Sequence, residues 1–227
     1  MLVVIAGGHG QVARRLSRAL VAQGHTVIGL IRNRDHATDL QEDGARPVVL
    51  DLEAASVDEV SQVLNDADAV VFAAGAGPGS GDARKQTVDL GASVLLADAA
   101  ELVGIRRYLQ VSSMGVESVR DGATPEGVDP GFLVYLRAKL AAEEDLRRRD
   151  LDWLVVRPGR LTDEPGTGRV RLDAATGRSD VPRDDVAAVL AALLERLRRN
   201  PASARRVLEL VAGDDPVEEA VTRALGG

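Results

Sequence analysis

Residues 1–32 read MLVVIAGGHGQVARRLSRALVAQGHTVIGLIR, and their order decides the fold. A short apolar run, Leu2 to Ala6, meets a glycine cluster at Gly7, Gly8 and Gly10. A helical pattern follows, with Val12, Leu16, Ala19 and Leu20 on one face, and a second apolar run spans Thr26 to Ile31. Strand, tight turn, helix, strand is the βαβ context in which glycines have a mechanical task. They let the backbone approach a pyrophosphate, while free N–H groups at the helix N-terminus point toward the anion. The spacing reads as GxxGxxA (Gly7, Gly10, Ala13) or as GxGxxA (Gly8, Gly10, Ala13). Either way it implies dinucleotide binding, with a plain tight turn as the bland alternative.

Composition narrows the classes. A chain of 227 residues fits one α/β domain over its whole length, with little left for a second lobe. There is no cysteine, so neither a disulfide framework nor thiolate chemistry is available. The three histidines, His9, His25 and His36, lack a ligand spacing, and no metal site is expected. A net charge of −7 and five aromatic residues argue against a nucleic-acid surface. The opening apolar run is too short for a signal peptide or a membrane span, so a soluble cytoplasmic protein is expected.

Strand-like runs recur at Leu2–Ala6, Thr26–Ile31, Pro47–Asp51, Ala69–Ala73, Arg107–Ser112, Trp153–Arg157 and Arg206–Val211. Most are continuous in Val, Leu and Ile rather than alternating, as strands buried on both faces are. Helical patterns lie between them at Gln11–Gln23, Val57–Leu64, Ala83–Val103, Phe132–Arg149 and Asp184–Arg198, and a last amphipathic piece covers Pro216–Leu225. The alternation predicts a Rossmann-type, doubly wound parallel sheet of about seven strands flanked by helices. The irregular stretches Gly75–Gly81, Val116–Gly131 and Pro158–Pro182 follow the carboxyl ends of expected strands, where open α/β sheets bind ligands. The last is read as a very small substrate region of loops, 158–182.

Tyr135 and Lys139 sit in YLRAK at the start of a helical run. Residues four apart share a helix face, so phenol and ammonium can aim at one cleft. A nearby ammonium favours a phenolate, and Tyr135 is expected to give or take a proton at a substrate oxygen. Such pairs also occur on plain solvated helices, but two features favour chemistry. Ser112–Ser113 ends a strand-like run 22 residues before Tyr135. The chain has two lysines, Lys85 and Lys139, against 26 arginines, and arginine offers neither a compact point charge nor ready deprotonation.

With these motifs together, the chain resembles an atypical short-chain dehydrogenase/reductase of the NAD(P)H-binding subgroup that includes small flavin and biliverdin reductases. The resemblance covers nearly the whole chain: GGHGQVA near the start, VVLDL at 48–52, FAAGAG at 72–77, VDLGASVLLADAA at 88–100, LQVSSMGV at 109–116, YLRAK at 135–139, VVRPGRLTDEPGTG at 155–168 and VPRDDVA at 181–187. It implies that Gly7, His9, Gly10, Gln11 and Val12 line the pyrophosphate. Asp51, with Leu52 beside it, would meet the adenine amino group, and Ala73, Ala74 and Gly75 would pass under the adenosine ribose. Ser113, with Ser112, would polarise a substrate carbonyl. Tyr135 would be the acid/base, Lys139 would hold the nicotinamide ribose, and the backbone at Pro158 would face the nicotinamide amide. Three positions depart from the pattern. Ala13 replaces the third glycine. His9 stands for a small Thr or Ser, either bonding a phosphate or standing as an exposed turn residue. Asp89 takes the place of an asparagine common in extended relatives and is read as structural.

Cofactor choice is read at the end of the second strand, where a ribose 2′-OH wants an acid and a 2′-phosphate wants arginine. Arg32 comes there first and Asp35 follows both Arg32 and Arg34, so NADP is expected, with NAD as the alternative. The function expected is an NADP-dependent oxidoreductase acting on a small carbonyl, quinone or flavin-like substrate through Ser113, Tyr135 and Lys139. The alternative is a non-catalytic NADP(H)-responsive regulatory or partner-binding protein. A nucleotide-sugar epimerase or dehydratase is disfavoured, because only about 25 residues separate the sixth strand from the Asp184 helix. The expected partner is a small molecule, with no nucleic acid and no membrane. Ala83–Val103 and Phe132–Arg149 leave monomer and homodimer both open.

Overall fold

The computed structural model describes residues 1–77 and 79–226. In chain order the strands are β1 (Leu2–Ala6), β2 (Thr26–Ile31), β3 (Arg46–Val49), β4 (Ala69–Phe72), β5 (Arg107–Val111), β6 (Asp152–Pro158), β7 (Arg160–Thr162), β8 (Arg169–Asp173), β9 (Asp180–Pro182), β10 (Arg206–Ala212) and β11 (Asp215–Pro216). The helices are α1 (Gln11–Ala22), α2 (Ala37–Glu42), α3 (Val57–Leu64), α4 (Asp82–Arg84), α5 (Ala92–Leu102), α6 (Pro130–Arg147), α7 (Arg183–Arg199) and α8 (Val217–Leu225), and a π-helical segment, Lys85–Gly91, joins α4 to α5.

Nine strands form one sheet in the order β11-β8-β10-β6-β5-β4-β1-β2-β3. From β3 to β10 every neighbouring pair is parallel. The strand order reverses between β1 and β4, which opens a crevice at their carboxyl ends.

The continuous apolar runs serve two layers at once. Side chains alternate along a strand, so in β1 Val3 and Ile5 join one core while Val4 and Ala6 join the other. β4 repeats this with Ala69 and Val71 against Val70 and Phe72, and β6 with Leu154 and Val156 against Trp153 and Val155. The first core takes Leu16 and Leu20 of α1 and Val189, Leu190, Leu193 and Leu197 of α7. The second takes Val60 and Leu64 of α3, Leu96 and Ala100 of α5, and Leu146 of α6.

The sheet is larger than the expected seven strands. Residues 158–182, expected as loops, hold β7, β8 and β9. β8 is antiparallel to β10, and its sequence RVRLD alternates exposed and buried positions. A search for continuous apolar runs misses such a half-buried strand. β3 stops at Val49, so Asp51 stands beyond the strand rather than ending it. In the expected irregular stretches, Val116–Gly122 forms a 3-10 turn and α6 begins at Pro130. Pro78, within the stretch Gly75–Gly81, lies outside the described residues.

Candidate functional site

The glycine turn after β1 is shaped by close backbone approach. Gly7 has φ +79°, and a Cβ there would come within 2.6 Å of the Ala74 Cα. A Cβ on Gly8 would meet the Gly29 Cα of β2 at 2.7 Å, and the Gly8 N–H donates to the Leu30 carbonyl oxygen at 2.9 Å. Gly10 precedes α1 in extended conformation, no side chain caps the helix, and no acidic residue stands in its first turn. The first N–H groups of α1 therefore lack intrahelical partners, and the helix dipole favours an anion there.

Two cavities meet this turn. The smaller, about 340 Å³, is lined by Gly7, His9, Gly10, Arg32, Asp51, Leu52, Ala73, Ala74 and Gly75, together with Glu53 and Arg84. The larger, about 1050 Å³, is lined by Gly10, Gln11, Val12, Ser112, Ser113, Tyr135, Lys139 and Pro158. Ala73, Ala74 and Gly75 line both. The residues singled out in the sequence thus line two adjoining cavities: they end or follow the strands β1 to β6 or, for Tyr135 and Lys139, lie on α6.

At the smaller cavity Arg32 is not alone. Its Nη1 lies 3.3 Å from Glu53 Oε2, and Arg84 Nη2 donates to the same oxygen at 2.7 Å. Thr87 Oγ1 donates to Glu53 Oε1 at 2.6 Å. The Arg84 hydrogen bond, helped by Thr87 and Arg32, holds the Glu53 carboxyl below the usual carboxylate range. Neither Glu53 nor Arg84 was identifiable in the sequence, although Glu53 directly follows Asp51 and Leu52. Asp51 accepts the Glu53 N–H at 3.0 Å and is otherwise exposed. His9, at the wall of the smaller cavity, is engaged with side chains of the segment after β2. Its Nε2 pairs with Asp39 Oδ2 at 2.6 Å and its ring stacks on His36 at 3.6 Å. That bond, with Arg14 behind it, lowers the Asp39 carboxyl.

At the larger cavity Lys139 is held from three sides. Its Nζ lies 3.2 Å from Asp89 Oδ1 and donates to the carbonyl oxygens of Ala74 at 3.2 Å and Val111 at 3.3 Å. It stands 5.4 Å from the Phe72 ring centre and 5.9 Å from that of Tyr135. Asp89 also accepts the Ala76 N–H at 3.2 Å, so it ties the 73–76 segment to the lysine. Tyr135 is half-buried and stacked against Phe132, with ring centres 5.6 Å apart.

The two serines separate. Ser112 is buried, and its hydroxyl donates to Glu143 Oε1 at 2.5 Å. Glu143 is in turn bound by Arg157 at 2.9 Å and 2.6 Å. The Ser112 hydroxyl is thus committed to a buried carboxylate, although Ser112 still lines the larger cavity. Ser113 is half-buried at the cavity wall, and its hydroxyl makes one local bond, to the Met114 carbonyl oxygen at 3.2 Å. Pro158 closes β6, and its carbonyl oxygen accepts the Met114 N–H at 3.1 Å. Arg157 also reaches Glu117 at 2.5 Å. The Glu117 carboxyl is held down at about 2, first by its bond to Arg120 and then by Arg157.

A turn built for an anion, a crevice at the strand reversal and a second cavity beside it describe a nucleotide site. A family model described as NAD(P)H-binding matches residues 7–197. The chain belongs to this NAD(P)H-binding family. A Bacillus subtilis protein named "Uncharacterized sugar epimerase YhfK" is 31% identical over 98% of this chain and 100% of its own length. Among solved structures, a Bacillus halodurans protein described by the class NAD-dependent epimerase/dehydratase is 33% identical, with TM-score 0.87 over 98% of this chain and 99% of that one. ChuY, an anaerobilin reductase of Escherichia coli O157:H7, is 25% identical, with TM-score 0.76 over 95% of this chain and 98% of that one. The family agrees with the resemblance carried by the sequence motifs, and the fold is shared with reductases. Among the described residues, no helix is long and apolar enough to cross a membrane.

Proposed function

We propose that this NAD(P)H-binding protein is an NADP-dependent oxidoreductase acting on a small carbonyl, quinone or flavin-like substrate. One observation carries the reading: Ser113, Tyr135 and Lys139 line the same cavity as Gly10, Gln11 and Val12 at the start of α1. The residues fit a dinucleotide, because the glycine turn presents an uncapped helix N-terminus and admits no Cβ at Gly7. Gly7, Gly10, Gln11 and Val12 would hold the diphosphate, and Asp51, Leu52, Ala73, Ala74 and Gly75 the adenosine. Arg32 would take a 2′-phosphate. Ser112, Lys139 and Pro158 would border the nicotinamide riboside.

Bound there, the cofactor supplies a hydride. Tyr135 gives or takes the proton at the substrate oxygen, and the Ser113 hydroxyl donates a hydrogen bond to that oxygen. Lys139 would hold a ribose hydroxyl in exchange for one of its carbonyl partners, with Asp89 compensating the ammonium charge. The test is NADPH oxidation over a panel of carbonyls, quinones and flavins, repeated with Tyr135→Phe. A substrate turned over equally by both proteins sinks the reading.

A second reading has an observation of its own. Lys139 already has Asp89 and two carbonyl oxygens around it, which suits a structural lysine in a non-catalytic NADP(H)-responsive protein. Tight cofactor binding without turnover over the whole panel supports it. A nucleotide-sugar substrate is less well supported, since about 25 residues between Pro158 and Arg183 supply the substrate side.

A further inference from the structure

Both lysines of the chain line the larger cavity, although arginine is the cation chosen everywhere else. Their surroundings differ. Lys139 has two carbonyl oxygens and Asp89 around its ammonium. Lys85 has a single acceptor among the described residues, Asp82 Oδ1 at 3.1 Å, and that carboxylate is 65% exposed. An ammonium carries three N–H donors, so two on Lys85 remain for a ligand. The Lys85 side chain is itself only 14% exposed.

Position gives the free donors a meaning. Gly131, Tyr135 and Lys139 follow one another at four-residue steps along one face of α6. Lys85 Nζ sits over the first of these: a Cβ on Gly131 would come within 3.1 Å of it. An ammonium therefore stands one turn before Tyr135, about 6 Å along the helix axis. Asp129 is the other carboxylate nearby, and its Oδ1 is occupied as the cap of α6, accepting the Phe132 N–H at 2.9 Å. A compact ammonium fits the gap over a glycine better than the broad guanidinium fork. Lys85 also opens the π-helical segment, a geometry that recurs where a helix re-aims side chains at functional sites.

Four further side chains set the character of the space. Arg160 and Arg183 are paired with Asp180 and Asp163, whereas Arg178 has no carboxylate partner among the described residues. Phe132 is 45% exposed and stacked on Tyr135, so it adds a flat apolar face beside the phenol.

We propose that Lys85 binds a carboxylate of the substrate, and that the substrate is a flat, conjugated carbonyl compound carrying that carboxylate about one helical turn from its carbonyl group. The placement of the carbonyl rests on the reading of Tyr135 given above. The anion site at Lys85 does not depend on turnover.

The experiment is calorimetric titration of the NADP-saturated protein with 3-formylbenzoate and 4-formylbenzoate, each against its methyl ester. At least one acid should bind tenfold or more tightly than its ester. Lys85→Met should abolish that preference and leave NADP and ester affinities unchanged, and Lys85→Arg should restore part of it. Gly131→Ala, which crowds Nζ without removing it, should weaken the acid and spare the ester. Equal binding of acids and esters, no binding by any of the four probes, or a preference that survives Lys85→Met overturns the proposal. A Lys85-dependent preference in a protein that turns over nothing in the full panel of carbonyls, quinones and flavins would sink the oxidoreductase reading and leave the anion site standing.

Discussion

Asp89 and Lys139 form a buried ion pair at the wall of the larger cavity, with Oδ1 3.2 Å from Nζ, the carboxylate fully buried and the lysine side chain 4% exposed. The two residues come from the π-helical segment and from α6, and both also grip the chain after β4, at Ala76 and Ala74. A buried charge that loses its partner is left uncompensated, which costs more than the pair gains over an apolar replacement.

Asp89→Leu and Lys139→Met should each lower stability by about 3–5 kcal/mol. The double variant should lose much less than the sum. Denaturant unfolding of the parent and the three variants measures this. Additive losses would show that the two charges do not act as a unit.

Cofactor choice should respond to both sides of the Arg32–Glu53 contact. NADPH is expected to bind more tightly than NADH, and Arg32→Ala should remove most of the difference. A charge-assisted contact is worth about 1.5–3 kcal/mol, or about ten- to a hundredfold in affinity. Glu53→Gln removes the built-in counter-ion of Arg32 and Arg84, so it should tighten NADPH severalfold and leave NADH alone. Titration calorimetry with both cofactors decides. Equal parental affinities would defeat the first expectation, and an unchanged ratio in Glu53→Gln the second.

Tyr135→Phe keeps the ring stacked on Phe132 and deletes the hydroxyl. Turnover of any substrate found should fall by about 10²–10⁴, the usual worth of a placed acid or base. NADPH affinity should stay within a few-fold. Steady-state rates and cofactor titration read the two effects separately.

Glu117 makes an acid-side prediction. Its carboxyl is held at about 2, below its value in an unfolded chain, chiefly by Arg120 and then by Arg157. A depressed carboxyl contributes stability that is present above the unfolded value, about 4.3, and is lost as pH falls toward the folded one. Thermal midpoints should therefore drop between about pH 5 and pH 2. Glu117→Gln should be less stable at neutral pH and show a shallower acid limb. Parallel curves for the two proteins would mean that Glu117 does not carry this dependence.

The parallel core was legible because burial on both faces writes itself as unbroken runs such as LVVIA and TVIGLI. β8 was not, since RVRLD alternates and sits at an antiparallel margin. The glycine turn, Tyr135 and Lys139 could be placed from local spacing alone, because each depends on one βαβ unit or one helix face. Glu53 with Arg84, Asp89 with Lys139, and Ser112 with Glu143 and Arg157 could not. Glu53 and Arg84 are 31 positions apart, Asp89 and Lys139 50, Ser112 and Glu143 31, and Glu143 and Arg157 14. No periodicity records which of many carboxylates an arginine or lysine will meet.

The segment Ala73–Ala76 is a partition with a demand on each side. The glycine turn at Gly7 leaves no room for a Cβ against Ala74, Lys139 donates to the Ala74 carbonyl oxygen, and Asp89 accepts the Ala76 N–H. A larger side chain on the wall of the smaller cavity would shift the same backbone that seats the lysine. The two alanines and the glycine at 73–75 are therefore a compromise between tenants. If the smaller cavity holds the adenosine as proposed, a change of cofactor preference is open to the rim, at Arg32, Glu53 and Arg84, and closed to the wall, which both cavities share.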